Sequence, residues 1–349
     1  MFIPIRCIKN GLILESWIIE VMNVFLLKLS FLLAVVSLSS CGAESYPSKV
    51  TVKVVDQDGE AVTNANVGVS SFRYWDRSGQ GFGKNVYDKY SERVDDNGVA
   101  VFECESKNGE LGIRVDAEGY YHSSWPVFRF DKVVDGRWHP HNPTVEYMVK
   151  KRKDPTALYA KTYLINHTSI PKKGEACGYD FEIGDWVAPY GKGGKADIVF
   201  YLEVERDNGV NDHDCTLKVT FSNEGDGFVS SPAPLKQGSE LRLDYLAPQD
   251  GFSPLLSIRA YIDPAERVRY TGYARTQNYF LRVRTKLNEN GEVIRANYAK
   301  VHGDFEFWHT GDMKFTYYFN PTPNDRNLEF DPKKNLFTDL KNVMKVAAP

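Results

Sequence analysis

Hydrophobic and polar residues alternate with a period of two along residues 49–150. Apolar side chains occupy every second position in five short segments, which begin near Val50, Ala65, Ala100, Leu111 and Val145. Because the side chains of a β-strand point alternately to opposite faces, this pattern predicts strands with one face in a core and one in water. Asp-Gly and Asn-Gly turns separate several of the segments, which favours antiparallel hairpins. The pattern therefore predicts a β-sandwich.

Three motifs in this segment also point to a known family. They are a Val-rich strand, turn and strand over Val52–Val69, an Asp-Asn-Gly turn at 96–98, and a VxAxGY sequence over Val115–Tyr120. Together they resemble the carboxypeptidase regulatory-like domain, which is a transthyretin-like or Ig-like β-sandwich. The resemblance implies a non-catalytic folding or docking module, since the sequence lacks the His-x-x-Glu zinc-ligand pair of the peptidases that carry such modules. A Gly-rich insertion between Phe72 and Tyr90, with Tyr74, Trp75 and Phe82, departs from the family pattern.

The region from Thr156 to Phe337 shows no helical periodicity, and it predicts a larger antiparallel β-sandwich or jelly-roll-like domain. Asn288–Gly291 reads as a hairpin turn, and 336–346 reads as a short helix. The predicted strands of this region cover 197–204, 216–221, 240–246, 256–262, 279–285, 292–301, 305–308 and 315–319.

The chain is predicted to have an all-β fold in two domains behind a processed leader. The basic, Pro-terminated segment 151–155 reads as a solvated linker, with contact to anionic lipid or polysaccharide as the alternative. The predicted segments are a leader at 1–40, a lipidated tether at 41–48, the first sandwich at 49–150, the linker at 151–155, the second domain at 156–337 and a tail at 338–349.

The leader ends in a lipidation signal. Residues 23–41 place Lys28 before a short apolar run, which ends in Leu-Ser-Ser-Cys at Cys41. A secretory signal has this order, and its end resembles the bacterial lipobox, where a peptidase cuts before the cysteine and the cysteine carries lipid, palmitate included. Glu15 and Glu20 do not suit a signal, so translation is expected to start at Met22. Gly42 favours the outer membrane over the inner one, by resemblance to the Gram-negative sorting rule. A soluble secreted protein or an uncleaved anchor is the alternative.

Three cysteines remain beyond the leader and the anchor. In an oxidising compartment an odd number leaves at least one thiol unpaired. Cys177 and Cys215 lie in the same predicted domain and are the candidate disulfide partners. Cys104 shares its strand parity with Ala100 and Phe102, which predicts a buried free thiol.

Composition and motifs exclude several classes of function. The 43 basic and 46 acidic residues give a net charge of −3, which argues against nucleic-acid binding. The sequence has no Walker A loop, no Gly-x-Ser-x-Gly elbow and no His-Glu-x-x-His. His139 and His141 form an H-x-H pair without an evident third ligand, and the Asp-rich turns lack the calcium-loop spacing. We therefore expect no metal, no cofactor and no catalytic residue.

The remaining interpretation is binding at the cell envelope. The expected partners are membrane lipid through Cys41, and a polysaccharide or an envelope protein. Trp186, Tyr190 and Trp308 are the candidate sugar platform, because aromatic rings offer flat apolar faces to sugars; filling of the core by these rings is the alternative.

A glycan-acting hydrolase in the second domain is the second interpretation. Such an enzyme needs two carboxylates across a cleft. Asp304 and Glu306, on the strand face of His302, are candidates, as are Asp185 and Asp197.

Overall fold

The computed structural model describes residues 44–349 except 77, 79–82, 125–126, 165–166, 233–237 and 275. Cys41, the predicted leader and Phe82 lie outside the described residues. Within these ranges the chain forms twenty strands, two 3-10 turns and no α-helix. The predicted all-β class is confirmed.

Residues 44–150 form the N-terminal sandwich, in which two sheets enclose one apolar core. One sheet has the strand order β4-β1-β9, with β9 parallel to β1, and the other has the order β3-β2-β5-β6. Val50, Val52 and Val54 are fully buried, as their alternation predicts. The strands are β1 Tyr46–Asp56, β2 Ala65–Asp76, β3 Lys84–Arg93, β4 Val99–Ser106, β5 Glu110–Ala117, β6 Phe128–Arg129, β7 Lys132–Val134, β8 Arg137–His139 and β9 Thr144–Val149.

The turns of this sandwich have the chemistry that their sequences predict. The Asp95 carboxylate accepts hydrogen bonds from the backbone N–H groups of Asn97 and Val99. Gly98 has a φ of +73°, and a Cβ there would lie 2.7 Å from the carbonyl oxygen of Val54. Only glycine suits this left-handed and crowded position. The predicted insertion is mainly a hairpin, since β2 runs on to Asp76 and β3 starts at Lys84.

Residues 156–349 form the C-terminal sandwich, which also has two sheets. The five-stranded sheet has the order β10-β20-β19-β18-β15, and the six-stranded sheet has the order β12-β11-β13-β14-β16-β17. The strands are β10 Tyr159–Tyr163, β11 Ala176–Asp180, β12 Asp185–Trp186, β13 Ile198–Asp207, β14 His213–Thr220, β15 Gly227–Ser230, β16 Leu256–Asp263, β17 Val268–Thr271, β18 Asn278–Leu287, β19 Val293–Phe307 and β20 Met313–Asn320.

The five-stranded sheet is covered on both faces. One face packs on the six-stranded sheet around Phe200, Phe305 and Phe315. The other face packs under irregular segments that contribute Leu243 and Phe330. Both faces are therefore apolar, which explains the nearly continuous burial along β19 and β20.

Three predicted elements of this region are wrong in detail. Residues 240–246 form no strand, although Leu241 and Leu243 are buried. The strands expected at 292–301 and 305–308 are one strand, β19, whose register shifts between His302 and Glu306. Only a 3-10 turn over Asn342–Met344 replaces the helix expected at 336–346.

The junction between the sandwiches is held by specific contacts, so the interpretation of 151–155 as a solvated linker is only partly correct. Arg152 and Lys153 are exposed, but the backbone N–H groups of Lys153 and Asp154 donate to Glu329. The Glu329 carboxylate is fully buried and also accepts from the Tyr121 hydroxyl at 2.9 Å. One carboxylate thus ties the N-terminal sandwich, the linker and the C-terminal sandwich together.

Candidate functional site

The predicted sugar platform is not one surface. Trp186 is only 7% exposed and contacts Tyr179 and Phe200 edge-on in the core. A ring in that position cannot stack on a sugar, so Trp186 is wrong as a platform residue. The apolar inner face of β12 explains its burial, because a large aromatic ring there fills the space between the sheets.

Tyr190 and Trp308 keep exposed surface at separate places. Tyr190 is 38% exposed, and its hydroxyl donates to Glu175 at 3.0 Å. Trp308 is half-buried at the turn between β19 and β20. Among the described residues no ring contact joins Trp308 to Trp186 or Tyr190, so the structure does not bring the three candidates together.

Trp308 lines a small pocket, called here the Trp308 pocket, with a volume of about 120 Å³. Tyr270 on the outer strand β17 is 48% exposed at this pocket. The pocket is lined by Val210, His213, Cys215, Ala260, Ile262, Arg269, Tyr270, Thr271, Tyr273, Phe307, Trp308 and His309. Aromatic rings, imidazoles, a guanidinium and hydroxyl groups therefore converge here.

Two stacked imidazoles fix one wall of the Trp308 pocket. The rings of His213 and His309 lie 4.4 Å apart at an angle of 18°. The Nδ1 atom of His309 lies 2.8 Å from a carboxylate oxygen of Asp207. The ring stacking and the contact with Asp207 hold the His309 ring in place. This wall of the pocket therefore forms without a ligand.

A larger cleft, called here the Arg284 cleft, opens where the ends of β13 and β18 meet. It has a volume of about 630 Å³, and most of its lining is charged or hydrogen-bonding. The lining residues are Glu182, Lys195, Ala196, Asp197, Ser222, Asn223, Arg284, Thr285, Lys286, Arg295, Asn297 and Pro321.

Arg284 joins the two sheets at the base of this cleft. Its guanidinium donates two hydrogen bonds to Asp197, at 2.6 and 2.9 Å, and one to Glu182. Asp180 lies 3.5 Å away, and the guanidinium stacks on Phe319 at 4.7 Å. Burial alone would lower the pKa of Arg284, but the bonds to Asp197 and Glu182 outweigh it and raise this pKa above its usual value. Arg284 is therefore a permanent cation held by carboxylates of the facing sheet.

The hydrolase candidates do not form a catalytic pair. Asp304 accepts from the Tyr279 hydroxyl and the backbone of Ala274. Glu306 pairs with Lys314, so each carboxylate has its own partner.

The other hydrolase candidates are also engaged. His302 contacts Tyr318 on the second face of the sheet. Asp185 accepts from the backbone of Trp186 and Lys192 in its own loop. Asp197 is bound by Arg284. Among the described residues, no two of these four candidate carboxylates face each other across an open cleft.

The candidate disulfide is also wrong. Cys104, Cys177 and Cys215 are free and buried, which confirms the prediction for Cys104 alone. β13 lies between the strands of Cys177 and Cys215, and their partners on it, Phe200 and Val204, are four residues apart. Strand spacing then separates the two Cα atoms by roughly 16 Å, well beyond the ~7 Å that a disulfide spans.

Few residues of these two sites could be recognised from the sequence. Arg284 alternates with Val283 along β18 and therefore reads as a solvent-facing residue. The Trp308 pocket collects residues from β14, β16, β17 and the β19–β20 turn. Only the pairing of distant strands brings these residues together. Of the residues that line this pocket, Trp308 alone was therefore singled out from the sequence.

Comparisons with known proteins add no family. No protein-family model matches the sequence, and no curated protein matches it. A similar solved structure is a candidate membrane-associated protein of unknown function from Bacteroides fragilis NCTC 9343, which is 11% identical. The match covers 80% of this chain and 99% of that one, with a TM-score of 0.18. Superposition at this level supports no transfer of function.

The described residues contain neither a membrane-spanning helix nor a cluster of metal ligands. Within the described ranges no helix has the length and hydrophobicity that crossing a bilayer requires. Nowhere in the same ranges do three histidine, cysteine or acidic side chains gather as metal ligands would.

Proposed function

We propose that the protein is a non-catalytic binding protein of the cell envelope, anchored by lipid at Cys41, whose C-terminal sandwich binds a saccharide at the Trp308 pocket. The Cys41 motif supports the anchor, and the pocket supports the ligand class. The outer membrane is the proposed location, because Gly42 follows the lipidated residue.

The composition of the Trp308 pocket carries the saccharide proposal. Sugar rings present apolar C–H faces that stack on aromatic rings, and hydroxyls that need hydrogen-bond partners. Tyr270 offers an exposed ring and Trp308 a half-buried one, while Arg269 and the stacked histidines offer polar groups. A volume of about 120 Å³ suits part of one sugar ring, so this pocket would hold a terminal or protruding residue of a glycan.

The geometry favours binding over hydrolysis. Glycosidases need two carboxylates on opposite sides of the scissile bond. The Trp308 pocket is lined by no carboxylate among the described residues. In the Arg284 cleft, Glu182 and Asp197 bind the same guanidinium, which places them beside each other rather than across a substrate.

Retention on insoluble polysaccharides tests the saccharide proposal. Residues 44–349 would be incubated with cellulose, xylan, chitin and peptidoglycan, and the bound fraction measured. We expect retention on at least one polymer and about tenfold weaker binding for Trp308→Ala and Tyr270→Ala, since a lost aromatic contact costs up to about 1.5 kcal/mol. Tyr87→Ala is the matched control, because Tyr87 is 44% exposed on the N-terminal hairpin. Equal retention of all variants, or no retention on any polymer, overturns the proposal.

Lipid labelling tests the anchor separately. The full chain would be expressed in a Gram-negative host with an alkyne palmitate analogue, followed by membrane fractionation. Acyl chains contribute about 0.8 kcal/mol per buried methylene, so the labelled protein should remain with the membrane. Cys41→Ala should lose both the label and the membrane association, whereas Cys7→Ala should change neither. A Cys41→Ala variant that is processed and stays in the membrane rules out this anchor.

A further inference from the structure

We infer that the Arg284 cleft is a second binding site, which takes an acidic sugar such as a uronate through its carboxylate and hydroxyl groups. This inference stands on different residues from the Trp308 pocket.

A β-bulge turns three successive side chains into the cleft. In a regular strand, neighbouring residues point to opposite faces. The register of β18 on β19 shifts between Val283 and Lys286, and Arg284 has a φ of +56°. As a result Arg284, Thr285 and Lys286 all line the same cleft. A left-handed backbone at a non-glycine residue costs energy, and bulges that re-aim side chains are frequent beside functional sites.

The strained backbone is held by a carboxylate of its own. Asp226 is buried, and its side chain accepts from the backbone N–H groups of Arg284 and Thr285 at 3.1 and 2.8 Å. The Arg284 side chain is held in turn by Asp197 and Glu182. The base of the cleft is thus ordered without a ligand, and Arg284 acts as a positioning residue rather than as a free anion binder.

Two cations at the rim of the cleft, Lys286 and Arg295, have no counter-ion among the described residues. Lys286 and Arg295 are direct partners across β18 and β19, and both are exposed. Like charges in directly opposed positions destabilise a strand pair. Neither side chain makes an ion pair or a hydrogen bond to the described residues, and Lys195 reaches Glu182 only at 3.9 Å. An anion between these cations would relieve their repulsion.

A buried hydroxyl in the same cleft lacks a partner. Thr285 lines the cleft and is only 6% exposed, yet its Oγ1 atom makes no hydrogen bond to any described residue. Leaving a buried polar group unsatisfied costs about 1–3 kcal/mol. Because this atom is buried, a ligand oxygen would reach it after the Thr285 side chain rotates toward the cleft. The Ser222 hydroxyl and the Asn223 amide already donate to Ala196 and Asp226, and their oxygens could accept from hydroxyls of the same ligand.

The lining selects an acidic sugar among anions. Cations at the rim suit a carboxylate, the hydrogen-bonding groups of the lining suit sugar hydroxyls, and about 630 Å³ accommodates more than one sugar ring. The carboxylates at the base oppose a compact, highly charged anion that would enter as deeply as Arg284. The group recognised is therefore a singly charged acid on a polyhydroxylated ring.

Titration calorimetry with defined probes tests this inference. The probes are a galacturonate oligomer, the matching neutral galactose oligomer and inorganic sulfate, each titrated into residues 44–349 at low and at moderate salt. We expect binding of the uronate only, weakened by salt. The variant Lys286→Gln/Arg295→Gln should raise the Kd at least tenfold, and Thr285→Val should raise it about fivefold.

The control variant is Lys89→Gln/Arg93→Gln, which removes two exposed cations from β3 and should change the Kd less than twofold. An equal loss in this control would mean that net charge alone attracts the uronate, and sulfate binding as tight as uronate binding would make this an inorganic-anion site; either result overturns the inference, as does the absence of uronate binding. Lys286→Gln/Arg295→Gln should leave polymer retention at the Trp308 pocket unchanged, since neither residue lines that pocket, so the failure of one site is distinguishable from the failure of the other.

Discussion

The two sandwiches solve the same packing problem with different side chains. The core of the N-terminal sandwich consists mainly of aliphatic side chains such as Val52, Val67 and Ile113, with a few aromatic rings among them. Among the described residues the N-terminal sandwich buries two charged side chains, Asp56 and Lys150, whereas the C-terminal sandwich buries more, including Asp180, Asp197, Asp226, Lys300 and Glu329. Buried charges need partners, so the second sandwich depends on specific networks where the first depends on apolar area. The candidate sites follow this difference, since both lie in the C-terminal sandwich.

The largest expected effect is the loss of the Arg284 network. Arg284→Gln leaves Asp197 and Asp180 buried without their cation, and breaking a buried ion pair typically costs about 3–5 kcal/mol. Urea unfolding followed by tryptophan fluorescence should show this loss in the free energy of unfolding of the C-terminal sandwich. Lys286→Gln, two residues away and exposed, should stay within about 0.5 kcal/mol of the wild type. A cost below about 1 kcal/mol for Arg284→Gln would show that the network does not hold the sheets together.

Lys300 is a buried lysine of the C-terminal sandwich without an ion-pair or hydrogen-bond partner among the described residues. Its side chain is fully buried over the Tyr318 ring, and its Nζ makes no hydrogen bond to the described residues. Burial lowers the pKa of Lys300 to about 7, with Lys150 acting in the same direction and Glu329 against it. His302, also nearby, has a pKa that burial lowers well below the usual histidine value, so it stays neutral above pH 7.

This lowered pKa predicts a pH dependence with a definite sign. Between pH 7 and about 10.4 the unfolded lysine binds a proton that the folded one does not, so the contribution of Lys300 to stability rises with pH in this window. Lys300→Met should therefore stabilise the protein near pH 7, by up to about 4 kcal/mol at about 1.4 kcal/mol per pKa unit, and have no effect near pH 10.5. Urea unfolding of both proteins at pH 7.5, 9 and 10.5 measures the difference. A difference that does not change with pH would contradict the buried neutral amine.

A variant at the junction between the sandwiches should change the free energy of unfolding less than Arg284→Gln or Lys300→Met. Tyr121→Phe removes one donor to the Glu329 carboxylate but leaves the two backbone donors in place. A hydrogen bond to a charged group contributes about 1.5–3 kcal/mol, so we expect a loss near the lower end of this range. Calorimetry should then show the unfolding of the two sandwiches as more separate transitions. Tyr87→Phe, on the exposed hairpin, is the control, and equal effects of the two variants would count against the coupling role of Glu329.

These contrasts also show what the sequence could predict. Alternation around Val50 and Leu111 located the strands of the N-terminal sandwich because one buried face and one wet face leave a period of two. On β19, burial on both faces removes that period. The bulge at Gly303 interrupts the sequence pattern, so two strands were predicted, but the backbone continues as one strand. In the Arg284 cleft only Asp197 was singled out from the sequence, as a hydrolase candidate, because the partners of Arg284 lie 87 and 102 residues away along the chain.

The smallest effects concern the three thiols, which report on each sandwich separately. Burial raises the pKa of Cys215 to about 12, and it also raises the pKa of Cys104 and of Cys177. Because the thiolate is the reactive form, iodoacetamide should label none of them quickly in the native protein, and a reducing agent should leave the melting temperature unchanged. Mass spectrometry after unfolding of residues 44–349 without reductant should find three free thiols. A disulfide between Cys177 and Cys215 would contradict the strand order, which separates these two residues.

Pulsed iodoacetamide labelling in rising urea would measure the unfolding of each sandwich at single cysteines. Cys104 lies in the N-terminal core, and Cys177 and Cys215 lie in the C-terminal core. In Arg284→Gln, Cys177 and Cys215 should become reactive at lower urea than in the wild type, while Cys104 should keep its midpoint, because the lost network touches only the C-terminal sandwich. If the labelling midpoints of all three cysteines move together, the Glu329 junction couples the sandwiches into one unfolding unit. The two sandwiches would then share one free energy of unfolding, although one core is mainly apolar and the other contains more charged groups.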